Sequence, residues 1–183
     1  MSRTVKLILM GALMLALAAG AALAAAPLIC PSGGGLCVGT PEADTITGSG
    51  NVDQIFALEG EDFVDGWGGN DLIYANEDAD TLRGAEGSDV LRGNSGNDSI
   101  DAFSFDTAGS TDQIFGGGGN DEILAEDGNV DSIDCGAGLL DRAFMDPTKD
   151  TVTGCELVSS SGEVQADAMK SLSQETKAMG ATR

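Results

Sequence analysis

"GWGGNDLIYANEDADTLRGAEGSDVLRGNSGNDSID", residues 66–101, is acidic and rich in glycine. Its aspartates stand nine apart, at Asp71, Asp80, Asp89 and Asp98, and two places after each comes an aliphatic: Ile73, Leu82, Leu91 and Ile100. The phase holds in both directions. Asp44, Asp53 and Asp62 precede the stretch at the same spacing. Beyond the interruption "AFSFD" (102–106) the phase resumes at Asp112 and Asp121, slips by one residue at Asp131 and again at Asp141, and closes at Asp150. The residues two places on are Ile46, Ile55, Val64, Ile73, Leu82, Leu91, Ile100, Ile114, Ile123, Ile133, Ala143 and Val152, of which eleven are large aliphatics. A single aspartate is most simply a solvated turn residue; twelve in phase with aliphatics are not.

A period of nine matches neither the 3.6 of a helix nor a long alternating strand. It matches a solenoid whose unit is one turn plus one very short strand. Glycines recur at fixed offsets before the aspartates, in "GWGGND" (66–71), "GAEGSD" (84–89), "GNSGND" (93–98) and "GGGGND" (116–121). Such offsets mark backbone that needs positive φ or close approach of another chain. The triplets that follow, "LIY", "VLR", "SID" and "EIL", place the middle residue inward and its neighbours outward, as a three-residue strand does.

The pattern G-G-x-G-x-D-x-U-x, with U a large aliphatic, resembles the hemolysin-type, or repeats-in-toxin (RTX), calcium-binding nonapeptide. "GGGGNDEIL" (116–124) matches at every defined position, and "GWGGNDLIY", "GAEGSDVLR" and "GNSGNDSID" miss only the second glycine. The resemblance covers about Gly39 to Thr153. It implies an all-β, parallel β-roll of about twelve nonapeptide repeats. In such a roll successive repeats alternate between two sides, two make one coil, and calcium sits between stacked turns of one side.

Calcium prefers six to eight oxygen ligands. The resemblance assigns metal binding to Asp53, Asp62, Asp71, Asp80, Asp89, Asp98 and Asp121. It assigns the turn backbone around the metal to Gly66, Gly69, Gly84, Gly87, Gly93, Gly96, Gly117 and Gly119. Each turn supplies half a shell, so a complete site needs two good turns two repeats apart. The pairs Asp71 with Asp89 and Asp98 with Asp121 satisfy this best. "ALEGED" (57–62) retains Gly60, whereas "ANEDAD" (75–80) puts Asp78 where glycine is usual, in a left-handed conformation costing about 1–2 kcal/mol. "GTPEAD" (39–44), "TAGSTD" (107–112) and "MDPTKD" (145–150) read as end or interruption turns without calcium. The expected total is two to five ions.

One aliphatic per nine residues makes a thin core, worth on the order of 2 kcal/mol per buried side chain. Ordering the backbone costs about 1–2 kcal/mol per residue. The chain is therefore expected to fold as it binds calcium, with affinity near extracellular levels, roughly 10⁻⁴–10⁻³ M.

The remaining sequence frames this domain. Thirty acidic residues against nine basic ones, a net charge of −21 and no histidine argue against nucleic acid and anionic membranes as partners. Arg3 and Lys6, the apolar run 7–24 and "ALA" at 22–24 read as a signal peptide cleaved after Ala24, the alternative being a retained anchor. Cys30 follows "PLI" and lacks the small residue a lipidated cysteine would follow. Four cysteines in an exported chain suggest two disulfides, with three connectivities open. Within the implied roll, Cys155 falls one coil beyond Cys135 and one position along. That predicts Cys135–Cys155 as a C-terminal staple and Cys30–Cys37 as an N-terminal cap loop over 25–38. The roll is placed at 39–157, and 158–183 reads as a polar tail, weakly helical or disordered.

The expected function is calcium binding by an exported, non-catalytic roll, structural or adhesive at a cell surface through a surface ligand. The alternatives are a calcium buffer without partner and a metal-free glycan-binding or glycan-cleaving solenoid. The glycan reading is disfavoured because the outward positions show no regular threonine or aromatic ladder. Family members commonly append such rolls to toxins, proteases or lipases; an N-terminal signal and no room for a catalytic domain set this chain apart from that plan.

Overall fold

The computed structural model describes residues 27–102 and 109–160; the expected signal peptide, the middle of the insertion and the tail from 161 onward lie outside the described residues. Among the described residues fifteen strands follow one another. They begin with β1 (Leu28–Ile29), β2 (Gly35–Val38), β3 (Thr45–Thr47), β4 (Asp53–Leu58) and β5 (Phe63–Asp65). The middle of the roll holds β6 (Leu72–Glu77), β7 (Thr81–Arg83), β8 (Val90–Ser95), β9 (Ser99–Asp101) and β10 (Gln113–Gly118). The series closes with β11 (Glu122–Ala125), β12 (Ser132–Ala137), β13 (Arg142–Met145), β14 (Thr151–Thr153) and β15 (Leu157–Ser159). Odd strands form one parallel sheet and even strands the other, so two repeats make a coil and about seven coils make the roll.

The register explains the nine-residue period. Ile46 pairs with Val64, Val64 with Leu82 and Leu82 with Ile100; on the other sheet Ile55, Ile73, Leu91, Ile114 and Ile133 stack in the same way. These aliphatics are almost completely buried. In the regular repeats two further inward residues flank the aliphatic. One is the repeat aspartate; the other is small, such as Ala57, Ala75, Ala102 or Ala125, all buried. The interior of a coil is thus aliphatic at its centre and carboxylate towards its edges.

The roll is longer than twelve repeats. Leu28 pairs with Ile46, Cys37 with Ile55 and Val158 with Ala143, so strands β1, β2 and β15 extend it at both ends without a ruler aspartate. Parallel pairing needs backbone and, where the strand is covered, an apolar residue facing inward: Leu28 and Cys37 supply it in the first coil, while Val158 of the last strand stays exposed. The cap region is therefore a first coil stapled by Cys30–Cys37, with both sulfurs buried in the core, and Cys135–Cys155 staples the far end.

One outward feature departs from expectation. On the even sheet, Phe56, Tyr74, Arg92 and Phe115 stand in one column. The Phe56 and Tyr74 rings stack 5.0 Å apart, and the Arg92 guanidinium lies 4.0 Å from the Phe115 ring centroid. An aromatic ladder therefore exists. It repeats every two nonapeptides, so it does not show when consecutive repeats are compared.

Candidate metal centre

The turns between strands gather the ruler aspartates into two columns, one along each edge of the roll. In one column the Asp44 N–H donates to Asp62 Oδ1 at 2.7 Å, Asp62 to Asp80 at 2.8 Å, and Asp80 to Asp98 at 2.9 Å. Asp98 then donates to Asp121 at 2.9 Å and Asp121 to Asp141 at 2.8 Å. In the other column Asp53 donates to Asp71, Asp71 to Asp89, Asp89 to Asp112, Asp112 to Asp131 and Asp131 to Asp150. One carboxylate oxygen per coil thus locks the coil before it. Both pairs favoured from sequence, Asp71 with Asp89 and Asp98 with Asp121, are direct neighbours in these columns.

The second oxygen has a different fate. Oδ2 of Asp62, Asp71, Asp80, Asp98, Asp121 and Asp141 is buried and accepts no hydrogen bond. Such an atom carries a large desolvation cost that protein groups here leave uncompensated. A Cβ on Gly66 would lie 2.7 Å from Asp71 Oδ2, and one on Gly84 would lie 2.6 Å from Asp89 Oδ2; the carboxylates face Gly93 and Gly116 still more closely. The first glycine of the repeat therefore leaves the space its carboxylate occupies. The fourth glycine answers a second requirement. Gly69, Gly87, Gly96 and Gly119 all have positive φ, and a Cβ on Gly87 or Gly119 would strike the carbonyl of Gly69 or Gly96 in the coil before. Asp78 takes this conformation too, with φ 73°, and its carboxylate accepts from the Gly60 N–H at 3.2 Å.

Gly117 sits at the second position, with φ 115°, stacked on the Asn94 carbonyl. Trp67, Ala85 and Asn94 hold the same left-handed position without glycine.

The end turns are closed. Asp44 Oδ2 accepts from the N–H and hydroxyl of Thr40, and Asp150 Oδ2 from the Asp146 N–H. Asp53 joins them: Ser49 donates to its Oδ2 through N–H at 2.7 Å and Oγ at 2.8 Å. Its turn is therefore closed on the Oδ2 side like the end turns, while its Oδ1 stays buried without a hydrogen bond.

Two sets of residues escaped the sequence reading. Asn70, Asn97 and Asn120 each receive a main-chain N–H from the next coil, from Ser88, Asn120 and Leu139 respectively. The recurring "ND" in the best repeats was the available signal. Glu156 receives the Asp141 N–H at 2.9 Å and ends the first column. It lies fifteen residues on, off the ruler.

Electrostatics sharpen the picture. Burial pushes the Asp71 carboxyl up to about 7 against the lowering bond from Asp53, and Asp89 and Asp53 add repulsion. Asp80 is pushed to about 7 and Asp98 to about 6 by burial first, with neighbouring carboxylates adding to it. Asp62 and Asp121 shift the same way. Among the described residues no three acidic or sulfur groups cluster closely enough to hold a metal alone, so the carboxylate pairs need main-chain carbonyls as co-ligands. With all four cysteines in disulfides and no histidine, the donor set is oxygen only. Hard-cation chemistry fits it.

Against family models, residues 38–73, 74–102 and 106–130 match the RTX calcium-binding nonapeptide repeat (4 copies). Searches of curated proteins and of solved structures returned no match.

Proposed function

Because the chain belongs to the RTX calcium-binding nonapeptide repeat family, we propose that it is an exported, non-catalytic roll that folds on calcium and presents its surface to a ligand outside the cell. The observation that carries the reading is the row of buried carboxylate oxygens without hydrogen bonds. Asp71 with Asp89 and Asp98 with Asp121, together with carbonyls of their glycine turns, would hold the ions. Asp62, Asp80 and Asp141 supply further oxygens of the same kind. Bound calcium neutralises the columns and ties adjacent coils together.

Export is supported by the signal-like start and by two disulfides, which persist in oxidising surroundings. A non-catalytic role is supported by the absence of histidine and by the engagement of the columnar carboxylates with backbone.

Equilibrium dialysis of residues 25–183 tests the reading. Saturable uptake of about two to five calcium ions at roughly millimolar free calcium, not displaced by equal magnesium, is expected. Linear, unsaturable uptake would contradict it.

A further inference from the structure

Trp67, the only tryptophan of the chain, combines two costs. It adopts a left-handed backbone with φ 71°, unfavourable for a bulky side chain, and it remains 63% exposed to water. Packing explains neither. The residues around it are small: Ala85, 4% exposed, stacks on it in the coil after, and Gly50 of the coil before lines the same space. The result is an open cleft of about 430 Å³ beside the indole, lined also by Asp65, Arg83 and Glu86. That volume is within the range of small-molecule sites.

The chemistry of the cleft is mixed. Asp65 caps the Trp67 N–H through Oδ1 at 3.1 Å. Arg83 pairs at 3.7 Å with Asp65 Oδ2 through Nη1 and with Asp101 Oδ2 through Nε; the Nε is buried, so the half-exposed side chain offers the cleft only the end of its guanidinium. A ligand here meets an aromatic surface, carboxylate acceptors and guanidinium donors together. A simple cation would meet Arg83, and an anion would meet Asp65, Glu86 and a chain of net charge −21. A neutral polyhydroxylated ring suits all three, since its C–H face stacks on indole while its hydroxyls both donate and accept.

We propose that Trp67, Asp65, Arg83 and Glu86 form a binding site for a neutral pyranose glycan. Trp67 and Glu86 belong to the 66–71 and 84–89 turns whose main-chain carbonyls would hold the ion, so the proposal rests on the calcium reading for these turns to be formed; the side chains it uses are other than the Asp71 and Asp89 carboxylates.

Trp67 also reports on it. Residues 25–183 in calcium, with circular dichroism confirming the fold, are titrated with cello-, chito- and malto-hexaose while tryptophan emission is followed. A saturable emission shift with at least one of them is expected. Trp67→Gly relieves the backbone strain and should fold at least as well, yet bind that glycan about ten-fold more weakly or worse, measured by affinity electrophoresis. Trp67→Tyr should retain most of the binding. No shift and no retardation with a folded chain would overturn the proposal. So would Trp67→Gly binding as tightly as the parent, or a response to tetramethylammonium or a sulfated glycan in place of the neutral ones. A chain that stays unfolded in calcium would instead count against the calcium-folding reading. The glycan proposal would then be read from the same titration in trimethylamine N-oxide, which favours the compact chain without calcium.

Discussion

Asp71 shows the logic of a single residue. Its Oδ1 accepts the Asp53 N–H and stitches two coils, while its Oδ2 stays buried without a partner. An amide keeps the first contact and removes the charge. Asp71→Asn should therefore weaken calcium binding by about ten-fold or more at its site, read by dialysis, because ligand charge sets affinity. In chelator the same substitution should make the coil no less stable, because it removes a charge that burial and neighbours disfavour. The pH dependence follows with a definite sign. The carboxyls of Asp71 and Asp80, raised to about 7 in the fold from about 3.9 in the open chain, bind protons more tightly when folded. Without calcium, stability is therefore fully present below the open-chain value and falls as pH rises towards 7. A chelated sample should show more β-signal near pH 4.5 than near pH 7.5, and calcium should reverse that order. At this scale the sequence was half legible. The spacing showed which aspartates face inward, but the division of labour between their two oxygens depends on a neighbour eighteen residues away that only stacking brings near.

At the level of the turn, glycine at the fourth position is where backbone and neighbour coincide. Gly87 has φ 135° and lies on the Gly69 carbonyl. Gly87→Ala should cost roughly 1–3 kcal/mol from strain and overpacking. That loss would show as a higher calcium concentration at the folding midpoint. Turns also separate into open and closed. Asp44 is already satisfied by Thr40, so Asp44→Asn should leave the calcium stoichiometry unchanged. The family pattern made "GTPEAD" look like an end turn, and its geometry agrees. It did not separate the turn of Asp53, whose glycine at 48 looks regular, because closure there comes from the Ser49 hydroxyl and amide. The aromatic column Phe56–Tyr74–Arg92–Phe115 was missed for a related reason: alternate repeats belong to different sheets.

The described residues form a stack with few long-range ties beyond its own ladder, so its ends matter. Cys135–Cys155 joins the last two coils across a sequence separation of 20. Replacing both cysteines by serine should lower stability by about 3 kcal/mol in calcium, seen as an earlier urea midpoint. The regular middle of the roll was legible because one physical unit repeats there. The first coil was not, since Leu28 and Cys37 occupy core positions without an aspartate to mark them.

All of this rests on calcium completing a roll whose own charges oppose it. Far-UV circular dichroism of residues 25–183 during a calcium titration at pH 7.5, with magnesium as control, tests that most directly. A cooperative rise of β-signal with calcium alone is the predicted result. A spectrum already fully β-rich in chelator, and unchanged by calcium, would contradict the account.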